Sequence, residues 1–232
     1  MGHVNALAQL ADLDDAALRT HYAPLRTPWL RLNFVATADG AAEGDDGLSD
    51  SINNAADKRV FHLLRDLSDV IVVGAGTVRA ERYRPNPTPI CVVTRSGEVP
   101  PSLRGRQEQL LVATCRHAPH VAETRELVGA DNVLLLGEYA PDLAALRHEL
   151  VARGHRDLLC EGGPHLARDL FAARVVDELC LTTVPRLIAG EHRRITAGAP
   201  VDVSLRLHAM LENDGTLLAR WLIEDQPHRP FD

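Results

Sequence analysis

LLCEGGPHLARDLF, residues 158–171, decides how the chain is read. An apolar run, Leu158-Leu159-Cys160, ends at Glu161; Gly162 and Gly163 follow, and Pro164 opens a pattern that sets Leu166, Leu170 and Phe171 on one side. That order is strand, glycine turn and helix, with proline where its missing N–H costs least. The first turn of a helix has unpaired N–H groups and a partial positive charge, so it attracts anions. Glycines there let a phosphate approach the backbone closely. The same turn leaves Glu161 at the carboxyl end of a strand, where open α/β sheets hold their ligands.

Upstream of this stretch, short apolar runs alternate with helical patterns. Leu30–Ala36 alternates as a strand and runs into a polar, glycine-rich loop through Asp50; a loop of that length in a compact domain is usually functional. Asn53 or Asn54 caps a helix to Leu67, with Val60, Leu63, Leu64 and Leu67 facing the core. Val70–Gly74 reads as a buried strand, followed by a short helix that Pro85, Pro87 and Pro89 end. Ile90–Thr94, Leu110–Thr114 and Val133–Leu136 are further buried strands, and Asp142–Arg153 is a helix closed by Gly154. Downstream, a helix over 164–174 and a strand over 178–184 precede two alternating segments, Val203–Glu212 and Thr216–Glu224. Asn213-Asp214-Gly215 joins them as a hairpin turn. The pattern predicts an α/β fold, a mostly parallel sheet with helices on both faces and a C-terminal antiparallel hairpin. Residues 1–27, with a short helix capped by Asp14, read as an N-terminal arm; residues 28–232 form the main domain.

Composition narrows the function. At 232 residues, 45% hydrophobic and 25% charged, the chain can bury a substantial core and is not a disordered polymer. A net charge of −7 argues against nucleic acid or an anionic membrane as main partner. All but one of the 25 basic residues are arginine, the better residue for bidentate phosphate recognition. No apolar run reaches the roughly 20 residues that span a bilayer, and no signal peptide is visible, which predicts a cytoplasmic protein. Cys91, Cys115, Cys160 and Cys180 lack CxxC spacing and read as buried hydrophobes, and the histidines show no metal-ligand spacing, so no metal is expected.

VIVVGAGTVRAE, residues 70–81, begins like a dinucleotide fingerprint, but Arg79 stands where a third small residue must pack, so a true Rossmann unit is not supported. Gly74 and Gly76 still permit close backbone approach, and Thr77 is placed to cap the short helix and donate to a phosphate. Thr94-Arg95-Ser96 offers two hydroxyls and a guanidinium at a strand end, a cradle for an isolated phosphate. Arg79, Arg82 and Arg84 surround Glu81, with Arg65 at the end of the preceding helix. Each alone reads as a surface charge; together they suit a phosphate-bearing substrate. A GxSxG nucleophile elbow is absent.

Taken together, WLRLNFVATADG (29–40), the serine loop at 48–53, VIVVGAGTVRAE, VVTRS (92–96), EGGPHLA (161–167), VVDELCLTTVPRLIAG (175–190) and the closing hairpin resemble the pyrimidine reductase of riboflavin biosynthesis. That is the reductase half of a bifunctional deaminase–reductase with a dihydrofolate reductase-like fold. The likeness spans about Pro28 to Glu224, in order and at matching spacing. Neither the H-x-E nor the P-C-x-x-C element of the zinc deaminase half is present, which predicts a stand-alone reductase.

The resemblance implies a three-layer α/β/α domain, a homodimer, and NADPH bound across the carboxyl ends of the central strands. Ala36, Gly74, Gly76 and Thr77 would meet the cofactor. Thr94, Arg95 and Ser96 would hold its 2′-phosphate end, and Gly162, Gly163, Pro164, His165, Leu166 and Ala167 its pyrophosphate. Asn33, Ser49, Arg65, Glu81 and Glu161 match substrate-contacting positions, and Glu81 is the expected proton donor. The implied reaction is hydride transfer to the ribosyl C1′ of 5-amino-6-(5-phosphoribosylamino)uracil, giving the ribitylamino product. Two residues depart from the pattern: Asn33 stands where the family usually carries lysine, and Glu81 where it usually carries aspartate. Those departures leave two alternatives, a dihydrofolate reductase-like enzyme acting on a pterin and a catalytically silent NADPH-binding regulator.

Overall fold

A computed structural model describes residues 8–105 and 107–224. Residues 1–7 of the expected arm, and 106 and 225–232 of the expected main domain, lie outside the described residues. The chain runs β1 (Ala8–Gln9), α1 (Asp15–His21), β2 (Trp29–Thr37), α2 (Ala55–Leu67), β3 (Val70–Gly74), α3 (Ala75–Ala80), β4 (Ile90–Val93) and β5 (Leu110–Thr114). It continues through α4 (Val121–Val128), β6 (Val133–Leu135), α5 (Leu143–Ala152), β7 (Asp157–Cys160), α6 (Pro164–Ala172), β8 (Glu178–Val184), β9 (Leu205–Asn213) and β10 (Thr216–Ile223).

The described strands form one sheet of order β1-β9-β10-β8-β2-β7-β3-β4-β5-β6. From β8 to β6 every neighbour is parallel, while β10 runs antiparallel to both β8 and β9. This is the expected mixed sheet. Successive residues of a strand face opposite sides, so Val70 and Val72 join the core under α5 and α6, whereas Ile71 and Val73 join the core under α1, α2 and α3. Asn54 caps α2 by accepting from the Asp57 amide at 3.1 Å, and Asp14 caps α1 through the Ala17 amide at 2.8 Å. At the hairpin the turn tightens to two residues, Asp214 and Gly215, with φ of +48° and +81°; Asn213 stays in β9, paired with Thr216. Positive φ at both turn residues matches the strand twist.

Two elements were not anticipated. β1 has two residues, too few to show alternation, and it pairs in parallel with Leu211 and Glu212 of β9. α4 buries Thr124 alone in its span and so carries no apolar stripe.

The N-terminal segment is fastened to the sheet by buried charge. The Glu178 carboxylate at the start of β8 takes hydrogen bonds from Trp29 Nε1 at 2.7 Å and from Arg220, with Arg31 at 3.6 Å. Those two arginines donate onward to the carbonyls of His21, the last residue of α1, and of Tyr22 and Ala23 just after it. Burial alone would raise the Glu178 pKa, but the Arg31 and Arg220 charges outweigh it and hold the carboxyl below its usual value. Its contribution to stability is therefore present above the unfolded pKa and lost as the pH falls through the lower folded one. Glu178→Ala leaves two buried guanidinium groups uncompensated, and chemical denaturation should show a loss of about 3–5 kcal/mol. A loss below about 1 kcal/mol would mean the network does not hold the segment.

Candidate active site

The site follows from the adjacency of β3 and β7. Their parallel pairing aligns Val72 with Cys160, so the turns that follow meet. The Gly74 amide donates to the Gly162 carbonyl at 2.7 Å. A Cβ on Gly163 would stand 2.5 Å from Thr77 Oγ1, and one on Gly162, whose φ is +91°, would stand 2.9 Å from the Phe34 ring. The glycine pair and the Thr77 turn thus converge, and only a residue without a side chain fits this approach. The N-caps of α3 and α6 are Gly74 and Gly163, and neither helix has a side-chain cap. Thr77 was expected to cap α3; it sits inside the helix, and the glycine before Ala75 takes the cap position instead.

Over these turns lies a cleft of about 1580 Å³, larger than a typical small-molecule pocket and roomy enough for two ligands side by side. Of the residues singled out in the sequence, Asn33, Ser49, Arg65, Gly74, Gly76, Thr77, Glu81, Thr94, Arg95, Ser96, Glu161, Gly163, Pro164, His165 and Leu166 line it. Ala36, Gly162 and Ala167 are buried behind that surface, Ala167 completely.

Three of the carboxylates that line the cleft differ in the partners they have. Glu161 is gripped by the Arg65 fork, Nε to Oε1 and Nη2 to Oε2 both at 2.7 Å, and by the Tyr83 hydroxyl on Oε2. Burial works to lower the Arg65 pKa, but the bonds to Glu161 and its charge raise it above the ordinary guanidinium value. Arg65 also lies over the Phe61 ring, 4.2 Å from its centroid, which holds that ring against the cleft. Glu81, at the end of α3, accepts from the Ser49 amide at 3.0 Å and so ties the long polar loop to the cleft wall. Asp57, in the first turn of α2, is 3% exposed and was missed by sequence reasoning. Burial raises its pKa, opposed by the Thr182 and Asn53 side chains and by Lys58. The signal was present: Asp57 precedes Val60 and Leu64 by three and seven residues, on the apolar stripe of the helix.

At the other end of the cleft, Thr94 Oγ1 and Ser96 Oγ lie 3.1 Å apart. The Arg95 side chain is 76% exposed and 4.0 Å from Asp169, an arrangement loose enough for an incoming anion to claim it. Exposed Arg79, Arg82 and Arg84 line the mouth near Glu81. The loop carrying Ser49 is braced from behind. Asp39 accepts from the Thr37 hydroxyl and from the Ile188 and Ala189 amides, which pulls its pKa to about 2.

Fold and cleft together define a three-layer α/β/α protein of the dihydrofolate reductase-like class. The chain belongs to the RibD C-terminal domain family, whose family model matches residues 28–217. It is 31% identical over 183 residues, 70% of this chain and 83% of the relative, to the 2,5-diamino-6-ribosylamino-4(3H)-pyrimidinone 5′-phosphate reductase of Archaeoglobus fulgidus. A pyrimidine reductase-like protein from Corynebacterium diphtheriae superposes with a TM-score of 0.76 at 21% identity, covering 91% of this chain and 99% of that one. The Enterococcus faecalis dihydrofolate reductase solved with NADP(H) superposes at 0.51 and 13% identity, over 85% and 98% of the two chains. The resemblance drawn from the motifs, and the fold it implied, are borne out.

Arg65→Lys keeps the charge but not the fork that clasps Glu161. Denaturant titration should show a loss of about 1.5–3 kcal/mol for that change, and no more than about 0.5 kcal/mol for Arg79→Lys at the exposed mouth. Equal effects at the two positions would mean the fork carries no special weight.

Proposed function

We propose that this chain is an NADPH-dependent reductase of a phosphorylated ribosylaminopyrimidine, the reaction implied by the motifs. The observation that carries the reading is the contact between the Gly163 turn and Thr77 on the floor of a cleft of about 1580 Å³. The residues fit a nicotinamide dinucleotide. Nothing lies within 4 Å of where a Cβ on Gly76 would stand, so a ligand can approach the backbone there, and the α6 N-terminus has no side-chain cap to compete with a phosphate. Gly74, Gly76, Thr77 and the segment 162–167 would hold the pyrophosphate and nicotinamide end, with Ala36 supporting from β2. Thr94, Arg95 and Ser96 would take the 2′-phosphate, Arg95 exchanging Asp169 for the ligand. When bound, NADPH supplies the hydride that reduces C1′ of the opened ribosylamine.

The protein's own part is orientation and proton management. Asn33, Ser49 and the arginines at the mouth bind the phosphorylated substrate. Arg65 and Glu161 fix the wall against which it lies. Glu81, held by the Ser49 amide, delivers the proton that accompanies the hydride. The same reading carries a cytoplasmic homodimer, with residues 1–27 as an arm on a reductase domain of residues 28–232.

Turnover with the pyrimidine substrate and each nicotinamide cofactor tests it. NADPH oxidation should be saturable, and Arg95→Ala should raise the KM for NADPH about 10- to 100-fold while leaving that for NADH unchanged. Glu81→Gln should lower kcat about 100-fold with little change in NADPH affinity. Retained turnover in that variant removes Glu81 from proton delivery. Tight NADPH binding without reduction of any pyrimidine would identify a silent nucleotide binder instead.

A further inference from the structure

Asp169 puts a carboxylate into the same cradle that is expected to hold a 2′-phosphate. It lines the cleft from α6, with Oδ2 4.0 Å from Arg95 Nη2 and Oδ1 2.7 Å from Nη2 of Arg168, the residue before it. The two arginines are not alike. The Arg95 side chain is 76% exposed, whereas that of Arg168 is 23% exposed and lies against the loop that follows β8. A Cβ on Gly198 of that loop would stand 3.2 Å from both Nε and Nη2 of Arg168 and 3.3 Å from His165 Nδ1, and the φ of +116° there suits glycine. The neighbouring Ala197 amide donates to the Pro164 carbonyl at 3.2 Å, which seats the loop on the first turn of α6. Arg168 is thus confined between helix and loop, its Nε buried with no hydrogen-bond partner among the described residues. A largely buried guanidinium needs a nearby anion, and Asp169 supplies it.

Resting on the cofactor reading above, we propose that Arg168 is a positioning residue for cofactor choice: by holding Asp169 it keeps Arg95 available to a 2′-phosphate. An acidic side chain beside the adenine ribose accepts from its 2′-hydroxyl and favours NAD(H), while an arginine there accommodates the 2′-phosphate of NADP(H). This cradle carries one of each, so the choice rests on which of them is engaged elsewhere. With Asp169 held by Arg168, the Arg95 guanidinium faces the incoming dianion, and the Thr94 and Ser96 hydroxyls stand beside it as donors. Without Arg168, Asp169 would close the gap to Arg95 and engage the cation the phosphate needs. The same carboxylate has lone pairs left to accept from the hydroxyl of an unphosphorylated ribose. Arg168 needs no contact with the nucleotide and no part in the hydride step, so its effect falls on the one phosphate by which the two nucleotides differ.

Calorimetric titration of the full chain with NADP+ and NAD+, which differ by the 2′-phosphate alone, reads this without any turnover. The wild type should bind NADP+ the more tightly. Arg168→Ala should lower the ratio of NADP+ to NAD+ affinity about tenfold, the scale of one charge a few ångströms from a dianion in water. Arg168→Lys, which restores the charge, should recover part of that loss. Asp169→Asn should raise the ratio about three- to tenfold; it serves if Arg168→Ala does not fold, and an unchanged ratio there overturns the assignment by itself. In the Asp169→Asn background, Arg168→Ala should change the ratio by no more than about threefold, because the carboxylate it restrains is gone. A loss as large as in the wild type would mean that Arg168 acts on the phosphate directly, which overturns the proposal. So does an Arg168→Ala variant that weakens both nucleotides alike, since the residue would then only support α6. A wild type that binds the two nucleotides equally overturns it too, and one that binds neither defeats the cofactor reading beneath it.

Discussion

The 2.7 Å hydrogen bond from the Gly74 amide to the Gly162 carbonyl is the point on which the rest of the molecule depends. It exists because β7, late in the chain, inserts between β2 and β3, so two turns nearly ninety positions apart emerge side by side. Had β7 paired elsewhere, each glycine turn would still form locally, but there would be no shared floor. The close approach also explains why both turns must lack side chains. At Gly163 a Cβ would displace Thr77, and at Gly162 it would strike Phe34 while the backbone sits in the left-handed region. The glycines are requirements of tertiary packing first, and their openness to a ligand follows from that packing.

From this floor outward, the cleft sorts its charges by whether they are already answered. Glu161 receives the Arg65 fork and the Tyr83 hydroxyl, so its oxygens have little capacity left for a ligand. Under the proposed reading, its effect on a substrate would be exerted through the wall it builds with Arg65 and Phe61. Glu81 gives one oxygen to the Ser49 amide, which makes it both a brace for the loop and a carboxylate facing the cleft. Asp57 keeps an unanswered oxygen. A sequence shows three acidic residues; the neighbours separate a structural anion from a poised one.

That difference marks what could be read from the chain. Most of the parallel strands were legible as short apolar runs and β2 by its alternation, and the hairpin because Asp214-Gly215 accepts positive φ at both positions. The strand–glycine–helix units around Gly74 and Gly163 were legible from local chemistry. The two-residue β1 and the polar-faced α4 were not, since neither repeats a pattern long enough to register. Asp57 was legible in principle as a charge on an apolar stripe, but helix periodicity says where a side chain points and not what it meets. Tyr83 was missed for a plainer reason: it sits between Arg82 and Arg84 just beyond the helix, and only the folded chain lays its hydroxyl on Glu161.

The two ends of the central strands carry opposite solutions to the same electrostatic problem. At the amino ends of β2 and β8, Glu178 and Asp177 are buried with Arg31, Arg220, Arg147 and Arg26 around them, and the spare donors run to carbonyls of the N-terminal segment. Such a network holds one arrangement of chain because removing any partner strands a charge in low dielectric. At the carboxyl ends lie Asn33 of β2, the two glycine turns and, from the first turn of α2, the half-answered Asp57, where a comparable degree of burial comes with fewer partners. A fold can sustain that deficit at one end because the other end is over-determined. The interaction energy that fastens the N-terminal segment to β8 and β10 keeps the parallel strands in register, and with them the distance between the two glycine turns. Loosening the amino-end network is thus expected to reach the cleft through the register of β2, without any direct contact between the two regions.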